Sequence, residues 1–254
     1  MKTIQSTSLL ALSVVSMALI IAPRANGQYV TIIRNTQVER LAESQVELVS
    51  PEGLRILIDV ADPDSLTKPP TEQDILLSTH LHRDHFNKVF ADSFPGKQIR
   101  MEEGEIDLPK LHIKSIVASH STAIPSKEVG GDNFIFIIDL AGLRIIHFGD
   151  LEQTELSASQ VAALADVDVA FGMVYYPQIV DIINIVKPHI LIPTHIWGSP
   201  KFKFLMQQWP ALRTHQNWLK LTKNSLPMET SLLFIGDWGE RIGSIYKLPY
   251  FEME

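Results

Sequence analysis

Apolar residues in this chain come in short runs that break at turn-forming residues. VELVS (46–50) and RILIDV (55–60) flank Pro51-Glu52-Gly53 and predict a hairpin, and DILLST (74–79) predicts a buried strand. Past Asp84, Phe86, Val89 and Phe90 recur at helical spacing, so the polar stretch between lies on a strand-to-helix loop. NFIFII (133–138) and LRIIHF (143–148) predict two strands joined around Asp139 and Gly142, the second running into Gly149-Asp150. Ser157 and Gln160 fit a capping box for a helix carrying Val161 and Leu164, with DVDVAFGMV (166–174) as the following strand. Pro177 then opens a helix whose Ile179, Ile182, Ile183 and Val186 share one face, and HILIP (189–193) leads to Thr194-His195. The order is β-rich at first and βαβ-like later, which predicts a mixed α/β architecture. Past Pro200, where Pro210 interrupts a helical stretch, no functional signal is visible.

The start of the chain has a different character. Lys2 precedes an apolar run of 14 residues, Leu9 to Ala22, and Ala25 and Gly27 stand just before Gln28. This pattern predicts a cleaved secretory signal over 1–27 and a single mature domain over 28–254, because a spanning helix needs roughly 20 apolar residues. Cleavage removes Lys2 and Arg24 and no acid, taking the formal charge from −7 to −9. A negative formal charge without a Lys/Arg cluster argues against a nucleic-acid partner bound through a general basic surface. The absence of cysteine rules out disulfides and lipid attachment through Cys, so a periplasmic or secreted protein with no lasting membrane anchor is expected.

Candidate chemistry concentrates in the strand-to-helix loop. THLHRDH places His80, His82, Asp84 and His85 within six positions, in a chain with 9 histidines altogether. In extended geometry His80 and His82 point the same way, while Asp84 and His85 approach from the turn. Imidazole and carboxylate donors suit Zn²⁺ or a similar first-row ion, Mn²⁺ and Fe²⁺ among them. Four ligands from one short loop exceed what a single tetrahedral ion with an open position would take, so two ions per chain are expected.

THLHRDH resembles the H-x-H-x-D-H signature of the metallo-β-lactamase fold superfamily, together with His120 in VASHST, Asp150 in HFGD and His195 in IPTHI. Residues 133–174 and the later IVKPHILIPTHI are most similar to the Zn-dependent hydrolases that include ascorbate-6-phosphate lactonase, and the likeness covers roughly 46–198. It implies a four-layer αβ/βα sandwich with a metal centre at one edge between two facing sheets. It further implies His80, His82 and His120 at a first ion, Asp84, His85 and His195 at a second, and Asp150 bridging both. A shared hydroxide would attack a small ester, lactone, amide or phosphodiester, with Asp84 and Asp150 as the catalytic carboxylates. A β-lactamase with a Cys ligand is excluded, and redox di-iron relatives usually carry Glu where this chain has His82. The alternative from another class is a non-catalytic, metal-stabilised binding or structural protein with the same ligands. By the same likeness Asp59 is a candidate to support the ligands, whereas His147 reads as either a core residue or a support. His112, His189 and His215 read as structural or exposed. Tyr175, Tyr176 and Trp197, with the neighbouring Pro177, Gln178 and Ile196, replace residues common in the relatives and bear on the substrate. Gly236-Asp237 reads as a turn.

From the signal pattern, protein recovered from its native host is expected to begin at or near Gln28. Intact-mass measurement checks this, and a membrane-bound chain that still carries Met1 would contradict it.

Overall fold

The computed structural model describes residues 28–35, 43–120, 132–173, 177–195 and 202–251. A first sheet contains β1 (Val30–Ile33), β2 (Val46–Val49), β3 (Arg55–Ile58), β4 (Ile75–Ser78), β5 (Lys97–Arg100) and β13 (Trp218–Leu221), in the order β13-β1-β2-β3-β4-β5. A second contains β6 (Gly104–Leu108), β7 (Leu111–Ala118), β8 (Asn133–Leu140), β9 (Leu143–His147), β10 (Val169–Met173), β11 (Ile190–Thr194), β12 (Ala211–Arg213) and β14 (Ser231–Phe234), in the order β12-β14-β11-β10-β9-β8-β7-β6. The described helices are α1 (Lys88–Ser93), α2 (Ala158–Ala163), α3 (Ile179–Val186), α4 (Phe202–Leu205) and α5 (Asp237–Tyr246).

Strand parity sorts the side chains into layers. Along β8, Phe136, Ile138 and Leu140 join Ile56, Ile58, Ile75 and Leu77 of the first sheet in the core between the sheets. Their neighbours Ile135 and Ile137 point the other way, onto Ile179, Ile182 and Ile183 of α3 and Trp238 and Ile242 of α5. On the far side of the first sheet, Leu57 and Leu76 pack against Ala91 of α1 and Phe94. The layers are helix, sheet, sheet, helix, the sandwich that the resemblance implies. No described helix is long and apolar enough to cross a membrane.

The expected hairpins form: β2 pairs antiparallel with β3, and β8 with β9. Ser157 and Gln160 make the reciprocal capping box of α2, and α3 buries the four apolar residues that its spacing singled out. One local expectation fails. The helix after Asp84 starts only at Lys88, with the Asn87 side chain accepting from Phe90 N, and it leaves Val89 81% exposed. Its buried side is set by Ala91 and the partly buried Phe86 and Phe90, because the sheet lies under that side. Of the expected strand over 166–174, Val169–Met173 forms β10, and Val174 lies outside the described residues. The stretch past Pro200 returns to both sheets, β13 to the edge of the first beside β1 and β14 to the second beside β11.

Strand direction determines where the chemistry falls. β7 and β9 both run antiparallel to β8, and β9, β10 and β11 are parallel to one another. The chain therefore leaves β7 toward His120, β9 toward Asp150 and β11 toward His195 at the same end of the second sheet. In the first sheet β3 and β4 are parallel and end at Asp59 and Thr79-His80. Carboxyl ends of parallel strands are where α/β sheets commonly assemble sites.

A buried cation holds the rim of the first sheet. Arg55, on β3, is 1% exposed and donates to Glu47 at 3.1 Å, Asp74 at 2.6 Å, and the carbonyls of Lys68 and Pro69. Arg55→Ala would leave two buried carboxylates without their cation, which typically costs about 3–5 kcal/mol. Urea denaturation is the check, and a loss under about 1 kcal/mol would mean the network is dispensable.

Candidate metal centre

All seven donors that the sequence put forward converge. Ligand atoms of His80, His82, His120 and Asp150 lie within 4.8 Å of one another, and so do those of Asp84, His85 and His195. Asp150 joins the two groups through its separate oxygens. Oδ1 is 2.8 Å from His195 Nε2 and 3.1 Å from His85 Nε2, whereas Oδ2 is 3.5 Å from His80 Nε2 and 3.7 Å from His120 Nε2. His82 enters by Nδ1, 3.2 Å from His120 Nε2, and Asp84 Oδ2 lies 3.8 Å from His195 Nδ1. His80, His85, Asp150 and His195 are buried, Asp84 and His120 are half-buried, and His82 is exposed. One side of the cluster is thus open to solvent.

Sharp turns aim these side chains. Asp59, His195 and Gly149 have φ of 50°, 52° and 57°, so the chain leaves β3, β11 and β9 through the left-handed region. At position 149 only glycine fits, since a Cβ would come within 2.2 Å of Asn133 Oδ1 and 2.8 Å of Thr79 Cβ. Asn133 holds that turn from both sides, donating to Phe148 O at 2.9 Å and accepting from Asp150 N at 3.2 Å.

Further partners stand behind the rings. Asp59 Oδ2 accepts from His85 Nδ1 at 2.7 Å, and Thr79 N and Oγ1 both donate to Asp59 at 2.8 Å. Thr79 Oγ1 is also 3.0 Å from His80 Nδ1, and Glu152 Oε1 is 3.3 Å from His120 Nδ1. Partners of this kind fix ring orientation and leave the other nitrogen facing inward. Asp59 takes the supporting place suggested for it. His147 is a buried residue that donates from Nε2 to Ser44 O at 3.1 Å and accepts at Nδ1 from Gly149 N at 3.1 Å. It positions backbone and contacts no donor atom of the cluster directly. Glu152 and Ser44 were not visible from spacing, because neither belongs to a local pattern. His112 pairs with Asp107 at the surface, His189 bonds Pro227 O, and His215 stacks on Tyr250. Gly236 caps α5. Tyr175, Tyr176, Ile196 and Trp197, and the 1–27 segment, lie outside the described residues.

The electrostatics call for positive charge. Burial by itself would raise the Asp150 pKa, yet the contacts with His195, His80 and His85 outweigh it and hold the carboxylate well below the usual range. Asp59 is likewise lowered against burial by His85, His147 and His80. His85, between the two carboxylates, is pushed up to about 10 despite its burial, chiefly by Asp59 and Asp150. Burial lowers His80, and it lowers His147 to about 4. Asp150 Oδ1 and His80 Nε2 are buried without a hydrogen-bond partner, even though ring nitrogens stand 2.8 and 3.1 Å from the first and Asp150 Oδ2 stands 3.5 Å from the second. Donors packed this closely without hydrogen-bond angles, around buried negative charge, fit divalent ions.

With fold and cluster in view, the comparisons place the chain. Residues 38–195 match the model of the beta-lactamase superfamily domain, more than half of the sequence, and the chain belongs to that family. Among its relatives is the UPF0173 metal-dependent hydrolase of Salinibacter ruber, 27% identical over 179 residues that make up 58% of this chain and 79% of the relative. The fold is shared with a protein of Thermotoga maritima described as a Zn-dependent hydrolase of the metallo-beta-lactamase superfamily. That match has a TM-score of 0.56 at 19% identity and covers 81% of this chain and 99% of the other. The metallo-beta-lactamase fold protein YhfI of Bacillus subtilis is also similar, with a TM-score of 0.51 at 10% identity over 81% and 96% of the two chains.

The charges determine how the metal-free protein responds to pH. His85 has a folded pKa near 10 against 6.5 unfolded, so its contribution is full below pH 6.5 and is lost as pH rises toward about 10. His147, near 4 when folded, and the lowered His80 act oppositely: the unfolded chain takes up protons that the folded chain refuses, and stability falls as pH drops below 6.5. Stability of chelator-treated protein should therefore peak near pH 6.5. Urea midpoints from pH 4 to 10 check this, and a steady rise across the range would contradict it.

Proposed function

We propose that this metal-dependent hydrolase of the metallo-β-lactamase superfamily binds two divalent cations per chain and cleaves a small ester, lactone or phosphodiester. His80, His82 and His120 would hold the first ion, Asp84, His85 and His195 the second, and Asp150 would lie between them. Zn²⁺ matches the nitrogen-rich donor set best, with Mn²⁺ and Fe²⁺ as the nearest substitutes. The observation that carries this reading is the division of Asp150: Oδ1 faces His85 and His195, and Oδ2 faces His80 and His120.

Bound there, two ions would lower the pKa of a coordinated water and polarise the substrate's carbonyl or phosphoryl oxygen. The chain's own residues do the rest. Asp59 and Thr79 keep the ring nitrogens of His85 and His80 aimed inward, Glu152 lies 3.3 Å from His120 Nδ1, and Asn133 and Gly149 hold the Asp150 carboxylate deep in the cluster. On the open side His82 is exposed and Asp84 half-buried, which leaves room for a substrate and favours an enzyme over a closed metal-stabilised scaffold. Asp84, at that mouth, is the carboxylate placed to steer a proton during turnover. The leader-like pattern at 1–27 supports a periplasmic or secreted location for this chemistry.

Metal-replete protein should carry about two equivalents per chain. A panel of lactones, esters and phosphodiesters should reveal turnover. Asp150→Asn keeps the volume and one oxygen donor but removes the charge. Its rate should fall by more than the roughly 10–100-fold typical of residues behind the ligands, while the fold persists. Full metal occupancy with undiminished hydrolysis in Asp150→Asn would refute the bridging role. A wild-type protein that binds metal but turns over nothing on the panel would favour the scaffold.

A further inference from the structure

Ser44 sits in the turn just ahead of β2 and is fully buried. Its hydroxyl oxygen is 3.2 Å from His85 Nε2 and 3.2 Å from His195 Nε2. Those two nitrogens are 2.8 Å apart, and they lie 3.1 and 2.8 Å from Asp150 Oδ1. Ser44 and Asp150, from distant stretches of chain, thus each place an oxygen within 3.2 Å of the same pair of ring nitrogens. A tetrahedral ion with ligand distances of about 2.0–2.1 Å has donor-to-donor edges of about 3.3–3.4 Å. The five edges above run from 2.8 to 3.2 Å. An outward shift of roughly a few tenths of an ångström would bring the set to the size of an ion. Asp84 stands further off, 3.8 Å from His195 on the Nδ1 side of the ring.

The turn is held firmly enough to present that oxygen. His147 Nε2 donates to Ser44 O, and the Gln45 side chain bonds both the N–H and the carbonyl of Asp62. Arg34, buried at the end of β1, donates to Glu43 O and, at 2.8 Å, to Pro193 O, two residues before His195. The guanidinium therefore ties the Ser44 turn to the strand that delivers His195. An apolar packing role would not require a hydroxyl here, since both ring nitrogens already have other polar neighbours.

We propose that the Ser44 hydroxyl oxygen is a further donor to the second ion, joining His85, His195 and Asp150 on its inner side while Asp84 faces it from the outer side; this rests on the dinuclear reading above. The hydroxyl keeps its proton and contributes a lone pair, so the first sheet supplies the second ion with a neutral ligand from outside the histidine loop.

The test is a Co²⁺ titration of chelator-stripped full-length protein, followed by visible absorption and by competition with a chelating dye. Wild type should take two equivalents. Ser44→Ala should keep the first at wild-type affinity and lose about 10–100-fold on the second, with a changed cobalt spectrum for that equivalent alone. Ser44→Cys would introduce a single cysteine into a chain that has none. A thiolate-to-cobalt charge-transfer band should then grow with the second equivalent, and the thiol should be protected from alkylation in the loaded protein. Where Ser44→Ala fails to fold, Ser44→Cys decides. Two equivalents of wild-type affinity in Ser44→Ala, or no charge-transfer band in loaded Ser44→Cys, overturns the proposal while leaving the dinuclear reading intact. A wild type that takes fewer than two equivalents removes both.

Discussion

A carboxylate buried among four imidazoles sets the terms for this structure. Asp150 is within 3.7 Å of ring nitrogens from His80, His85, His120 and His195, residues that arrive from both sheets. A buried charge of this kind is tolerable only when it is compensated, and removing part of the compensation is far costlier than removing the whole group. The two sheets must therefore meet in one register at this edge. The apolar core between them supplies the bulk of the burial, while the Asp150 cluster specifies how the sheet ends face each other.

The same logic extends outward through residues that touch no candidate ligand atom of an ion. Asp59 supplies a second buried negative charge behind His85, and Thr79 spans Asp59 and His80. Metal-free, such a centre satisfies its charges with a proton on His85, whose pKa stands far above that of free histidine. On the dinuclear reading proposed above, an ion bound at His85 would displace that proton, which would couple metal affinity to pH. Backbone conformations follow suit: the left-handed positions at Asp59 and His195 are unfavourable locally and persist because the surrounding contacts demand those turns.

Asymmetry within the cluster bears on how it works. Its inner side, around His85, His195 and Asp150, is buried and meets Ser44 from the first sheet, whereas its outer side, around His82, opens to solvent. A rigid inner wall and an accessible outer one suit an enzyme that must keep its ions while admitting a substrate.

Much of this was legible in the sequence, for a physical reason. The density of His80, His82, Asp84 and His85 after a buried strand has no packing rationale, and hairpin turns, the capping box at Ser157 and the apolar face of α3 depend only on neighbours within a few positions. The order of His120, Asp150 and His195 became informative through likeness to a family, since each alone could be an ordinary loop residue. Tertiary structure decided the rest. It exposed Val89, which helical spacing had grouped with Phe86 and Phe90, because the sheet beneath α1 selects the buried side. It returned β13 to the first sheet, split the oxygens of Asp150 between two groups, and put Glu152 behind His120. It also brought Ser44 to His195 across 151 positions of chain. Contacts of that range leave no periodicity or spacing behind them, so local pattern specifies which residues can bind a metal and the meeting of the two sheets specifies how they are arranged.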